Sequence, residues 1–128
     1  MTSIEVPYSI AAALPTLAVM DITNDVARSV AGSGCTDGIA YVHSAGGLTL
    51  VRVQERETGF FEDVEALLER VVPEDSPARE RLVAMLLGPR SEQIPFRDGA
   101  LCLGRWQRIL LFSLDAEHRN DWSITVLG

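Results

Sequence analysis

The chain reads as an α+β protein, an antiparallel sheet or sandwich with helices on one side. Three observations predict this. Period-two apolar runs dominate the beginning and the end of the 128 residues, helical periodicity dominates the stretch between Gly59 and Gly88, and breaks rich in Gly, Pro and Asp separate successive runs.

Ile4 to Tyr8 and Thr16 to Ile22 read as paired strands, with Pro15 between them where a missing amide proton does least harm. Thr23 has the chemistry of a helix N-cap. Asp25 falls in the first turn, and Val26, Ala27 and Val30 share a face before Gly32-Ser33-Gly34 ends the helix. After the Asp37-Gly38 turn signal, Ile39, Tyr41 and His43 alternate with Ala40 and Val42. Leu48 to Val53 follows Gly46-Gly47, and the two runs predict a hairpin.

The period then changes. Phe60, Val64, Leu67, Leu68 and Val71 recur at helical spacing among Glu62, Asp63, Glu65, Glu69 and Arg70, an amphipathic helix that stops at Pro73. Another helix starts at Ser76-Pro77, carries Leu82, Val83, Leu86 and Leu87 as its apolar stripe, and closes at Gly88-Pro89. Ile94 to Phe96, Ala100 to Leu103, Trp106 to Ser113 and Trp122 to Leu127 are strands. Asp98-Gly99 and the polar stretch Asp115 to Asp121 suit antiparallel pairing between them. With no repeat, linker or low-complexity segment, one domain over residues 1–128 is expected.

Composition narrows the partners. A net charge of −7 opposes approach to phosphate backbones and anionic lipid, so neither nucleic acid nor a membrane surface is expected. The apolar run Ser9 to Met20 is too short to span a bilayer, contains Pro15 and follows Glu5 rather than a basic stretch. Neither signal peptide nor anchor is therefore expected, and the location is cytoplasmic. Cys35 and Cys102 are far apart and outside any metal-binding spacing, which predicts two half-buried thiols. Gly32-Ser33-Gly34 follows a helix and lacks a lysine, so it is not a phosphate loop. His118 falls in a polar turn and is expected to be exposed.

Gly88, Pro95 and the run Asp98-Gly99-Ala100-Leu101-Cys102-Leu103-Gly104-Arg105-Trp106-Gln107 resemble, spacing included, the pattern G…P…G-x-L-x-L-G-x-W-Q of the YjbQ/UPF0047 family. Asp21-Ile22-Thr23, Gly38, His43, Asp63, Leu86-Leu87-Gly88, Asp115 and Val126-Leu127-Gly128 occur in the order of that family's other marks, so the resemblance covers nearly the whole chain. It implies a sandwich-like α+β subunit, assembly as a homotrimer, and a weak thiamine-phosphate-synthase activity secondary to a main role that is unknown.

The resemblance also implies three metal-binding histidines, and most are lost. The first motif reads His43-Ser44-Ala45. The second is removed by a shortened connection in which Val72-Pro73-Glu74-Asp75 leads straight to Ser76, and the third reads Glu80-Arg81-Leu82. A guanidinium has no lone pair for a metal, and one imidazole without a neighbouring thiolate does not hold a borderline ion. No metal or other cofactor is expected. Asp115-Ala116-Glu117-His118-Arg119-Asn120 stands where the family has Asp-Gly-Pro-Arg-x-Arg, with Arg119 displaced by one position.

The candidate ligand-binding residues are therefore His43, Ser44, Asp63, Arg81, Gln107 and Arg119, with His43 also the candidate catalytic acid or base. Each has a plainer alternative. His43 suits a structural strand-end histidine, Asp63 a solvated helix charge, and Arg81 one of several exposed helix charges alongside Arg79. Trp106 suits a core residue, with Gln107 bonded to a nearby loop. Arg81 stands near a helix N-terminus, where a cation opposes the macrodipole and favours an anionic partner. Three functions are consistent with these residues. The first is a metal-free pocket between subunits for a small anion such as a phosphate ester, the second a weak family-type enzyme, and the third a structural paralogue without a working pocket.

Overall fold

Strands buried on both faces and strands buried on one face sort into two different sheets. The computed structural model describes residues 4–9, 18–44, 48–73, 75–114 and 122–128. In chain order the elements are β1 (Ile4–Ser9), β2 (Ala18–Asp21), α1 (Thr23–Gly32), β3 (Gly38–Ser44), β4 (Thr49–Glu55) and α2 (Thr58–Val71). These are followed by α3 (Arg79–Leu87), β5 (Ser91–Arg97), β6 (Ala100–Leu101), β7 (Gln107–Ser113) and β8 (Trp122–Leu127). One sheet has the order β1-β2-β7-β4 and the other β6-β5-β3-β8, and every pairing is antiparallel.

The first sheet lies in the middle. Val51, Ile109 and Leu111 point toward the second sheet, where they pack with Ala40, Val42, Ile94 and Phe96 and with Ile22, Val26 and Val30 from around α1. Leu50, Leu110 and Phe112 point the other way, onto Phe61, Leu68 and Val72 of the α2 region and Val83 and Ala84 of α3. Phe61 meets Phe112 edge-on, with ring centroids 6.3 Å apart. β7 is apolar without interruption from Ile109 to Phe112 because a sheet covered on both sides has no wet face. β3 instead alternates, with Ala40, Val42 and Ser44 buried and His43 exposed.

The α+β sandwich matches the expectation, and α2 and α3 share one side of it. α1 differs, because its buried Val26 and Val30 belong to the core between the sheets. The expected hairpin from Ile39 to Val53 does not form. β3 pairs with β5 and β8 while β4 pairs with β7. Local turn chemistry pointed to a hairpin, but β4 buries Leu50 and Val51 on opposite faces and so belongs to the middle sheet. For the same reason β7 and β8, flanking residues 115–121, are not partners. The β5–β6 hairpin does form, with Phe96 opposite Leu101, and Asp98 (φ 53°) and Gly99 (φ 75°) give it the left-handed pair of a tight turn.

α3 begins at Arg79 rather than Ser76, and its inward face differs from the expected stripe. Val83 and Ala84 are buried, whereas Leu82 and Leu86 are exposed. Arg79, expected on the outside, is also buried. Its Nη1 donates to the Val72 carbonyl at 3.1 Å, and Nε and Nη2 meet no acceptor among the described residues. Trp106 is not core either, since it is 66% exposed just ahead of β7, whose apolar run begins only at Ile109. Cys35 is half-buried and Cys102 exposed, both as free thiols.

Ile109→Ala, in the doubly covered strand, is expected to destabilise the fold by about 3 kcal/mol. Trp106→Ala is expected to cost less than about 1 kcal/mol. Urea unfolding of both variants checks the pair, and equal losses would contradict the exposed placement of Trp106.

Candidate functional site

Asp21 ends β2 at a point where the chain must turn into α1 without leaving β7. Its carboxylate is buried and accepts at Oδ1 from the Thr23 amide (3.0 Å) and the Thr23 hydroxyl (2.6 Å). That hydroxyl accepts in turn from the Ile109 amide at 2.8 Å, and the Ile22 amide donates to the Ile109 carbonyl at 2.9 Å. Thr23 is thus the first helical residue rather than the cap, and Asp21 supplies the acceptor that an N-cap side chain ordinarily gives.

The other oxygen faces two cations. Asp21 Oδ2 accepts from Arg108 Nε at 2.8 Å and from Arg56 Nη1 at 3.3 Å, while Arg108 Nη2 reaches Asn24 Oδ1 at 3.4 Å. Burial pushes the Asp21 carboxyl up. The hydrogen bonds from Arg108 and Thr23 and the Arg108 charge outweigh it and hold the group below its ordinary value of 3.8.

β4 and β7 bring further side chains to the same place. Glu55 lies opposite Gln107 in the ladder, so the chain leaving β4 runs beside the chain entering β7. Gln107 closes the turn before it from both ends, its amide donating to the Gly104 carbonyl (3.1 Å) and its Oε1 accepting from the Gly104 amide (2.7 Å). Within that turn the Arg105 guanidinium stacks 4.9 Å from the Trp106 ring centre. Glu57 caps α2 by accepting from the amides of Gly59 (2.9 Å) and Phe60 (3.1 Å).

The result is an open cleft of about 520 Å³ lined by Glu55, Arg56, Glu57, Arg105, Trp106 and Arg108. Two of the nearby carboxylates have internal tasks, Asp21 beneath the arginines and Glu57 on the α2 amides. The side chains of Arg56 and Arg108 nonetheless remain 42% and 34% exposed, leaving guanidinium donors turned to solvent. Fork-shaped donors beside an aromatic face suit an oxyanion attached to a small organic body. The lining contains no His, Cys, Ser or Thr, and its carboxylates are Glu55 and Glu57.

The residues expected to form a site are scattered. His43 is exposed on the second sheet, opposite Ser91 and Ser123. Ser44 is fully buried, its hydroxyl donating to the Thr49 carbonyl (2.6 Å) and its amide to the Arg90 carbonyl (2.8 Å). Asp63 and Arg81 are exposed on α2 and α3, beyond the middle sheet from His43. Gln107 adjoins the cleft as the clamp of its turn. Arg119 and His118 lie outside the described residues. Among the described residues no three of His, Cys, Asp and Glu gather as ligands for a metal.

Asp21 and Arg105 entered the sequence reading only as parts of the family pattern, and none of Asp21, Arg56, Arg105 and Arg108 was expected in a site. The one available signal was that β7's polar first positions, Gln107 and Arg108, precede its apolar run.

The sequence pattern of the family described as "UPF0047 protein YjbQ-like" matches residues 14–128. A UPF0047 protein of Methanothermobacter thermautotrophicus is 31% identical over 119 residues, covering 86% of this chain and 82% of that protein. One of Archaeoglobus fulgidus is 36% identical over 106 residues, covering 76% and 81%. Among solved structures, an uncharacterised YjbQ/UPF0047-family protein of Clostridium acetobutylicum superposes with a TM-score of 0.79 at 23% identity, covering 99% of this chain and 100% of that one. A protein of unknown function from Sulfolobus solfataricus gives 0.75 at 27% identity, covering 98% and 92%.

Asp21→Asn is expected to lower stability by about 2 kcal/mol at neutral pH, since it removes the buried charge from two guanidiniums that keep access to water. Because the folded-state pKa is depressed, the Asp21 contribution is present above the ordinary carboxylate value and is lost as pH falls through the folded value. Denaturant midpoints against pH should therefore show a shallower acid decline in the variant, and parallel curves would contradict this role.

Proposed function

As the chain belongs to the YjbQ/UPF0047 family, we propose that it is a binding protein for a small anion of the phosphate-ester class, held by Arg56, Arg105 and Arg108 beside Trp106. One observation carries this. A buried carboxylate pins two guanidiniums at an open cleft, so their remaining donors are oriented before a ligand arrives, which lowers the ordering cost of binding.

The location differs from the one expected from sequence. His43 is on β3 of the second sheet and Arg81 is on α3, which packs on the far face of the middle sheet, and this placement supports reading a pocket built from both as one between copies of the chain, as in a homotrimer. We retain the trimer as part of the proposal. A weak thiamine-phosphate-synthase-like reaction through His43 is the less favoured alternative, since the in-register neighbours of His43 are serines on both sides. Two free thiols fit a reducing cytoplasmic setting.

Glycerol phosphate, titrated at constant ionic strength against chloride and acetate controls, is expected to raise the melting temperature saturably, as any ligand confined to the folded state does. Arg56→Ala should weaken binding roughly tenfold, the loss of about one charge-assisted hydrogen bond. A wild-type melting temperature that does not respond to millimolar phosphate ester would sink the proposal.

A further inference from the structure

The cleft holds charges of both signs, and one of its carboxylates has no task in the fold. The guanidiniums of Arg56, Arg105 and Arg108 share the lining with Glu55, Glu57 and the indole of Trp106. Glu57 is engaged on the Gly59 and Phe60 amides. Glu55 is exposed at the last position of β4, and its carboxylate forms no hydrogen bond or ion pair among the described residues. The ladder explains why it stays apart from the arginines. Glu55 stands opposite Gln107 and Gln54 opposite Arg108, and successive side chains leave a strand on opposite faces. Glu55 therefore departs on one face, while Arg108, and Arg56 one residue beyond Glu55, turn to the other, where Asp21 holds both. An acid and two cations border one cleft without neutralising one another, a separation that a ligand carrying both charges bridges.

We infer that the cleft selects a zwitterion of the aminoalkyl phosphate class, with the phosphate on the arginines and the protonated amine on Glu55 beside the Trp106 ring. This rests on the phosphate-ester reading above and narrows it. An ester with an apolar body gains from the guanidiniums but leaves Glu55 as an uncompensated like charge, which acts as selection against it. An ammonium group turns the same carboxylate into a partner through a charge-assisted hydrogen bond. Trp106 adds to the preference. Its ring is 66% exposed even with Arg105 stacked 4.9 Å from its centre, and an indole face attracts a cation. An amine without a phosphate is disfavoured in turn, because it meets three guanidiniums of its own sign.

Isothermal titration calorimetry at neutral pH and constant ionic strength tests it, with 2-aminoethyl phosphate, its N-acetylated form, ethyl phosphate and ethanolamine as probes. The wild type is expected to bind 2-aminoethyl phosphate about tenfold more tightly than ethyl phosphate, the worth of one charge-assisted hydrogen bond. The N-acetylated ester, which keeps the chain and loses the charge, should bind like ethyl phosphate, and ethanolamine more weakly than any of the esters. Glu55→Gln changes an exposed strand-end residue and should leave the circular dichroism spectrum unaltered while bringing 2-aminoethyl and ethyl phosphate to within about twofold of each other. Equal affinity of the wild type for the charged and uncharged esters, or a preference that survives in Glu55→Gln, overturns the zwitterion assignment and leaves the phosphate-ester reading standing. Binding of no ester at millimolar concentration overturns both.

Discussion

The buried carboxylate of Asp21 is the interaction on which the rest of the structure most depends. One oxygen holds the turn from β2 into α1 through Thr23, whose hydroxyl ties that turn back to β7. The other holds Arg108 and Arg56. A charge this well buried is tolerable only with its lone pairs occupied, and here both oxygens are. The group that starts the first helix is therefore also the group that arranges the cleft, and neither task can be changed without disturbing the other.

A second constraint is the covering of the middle sheet on both sides. Strand β7 contributes Ile109 and Leu111 to one core and Leu110 and Phe112 to the other, and β4 does the same with Leu50 and Val51. That requirement sorts the strands. It sends β4 to β7 rather than to its neighbour in sequence β3, and leaves β3 on a sheet whose outer face carries the exposed His43. His43 and Arg81 are separated for the same reason, with a complete sheet between their layers.

The proposed cleft and the exposed apolar residues of the helices both follow from where this packing ends. At the mouth of β7 the apolar run gives way to Gln107 and Arg108, and the chain emerging from the core carries Trp106 and Arg105 into solvent. On the far side, α2 and α3 have more apolar residues than one sheet face can bury. Leu67, Val71, Leu82, Met85 and Leu86 remain outside after Leu68, Val83 and Ala84 have filled the core. The cleft is rich in polar donors, which is why an anion is assigned to it.

Much of this was written in the sequence. The α+β class, the long amphipathic helix, the Asp98-Gly99 hairpin and the family motif ending in Trp106-Gln107 all rest on local signals such as periodicity, turn chemistry and spacing, which neighbouring residues supply by themselves. Strand partners, the inward face of α3, the exposure of Trp106 and the burial of Arg79 and Ser44 were decided by tertiary structure. Each depends on what covers a residue, and the covering groups lie far away in the chain. Asp21 and Arg108 are the plainest case. They stand 87 positions apart, and only the pairing of β2 with β7 places a carboxylate under a guanidinium at 2.8 Å.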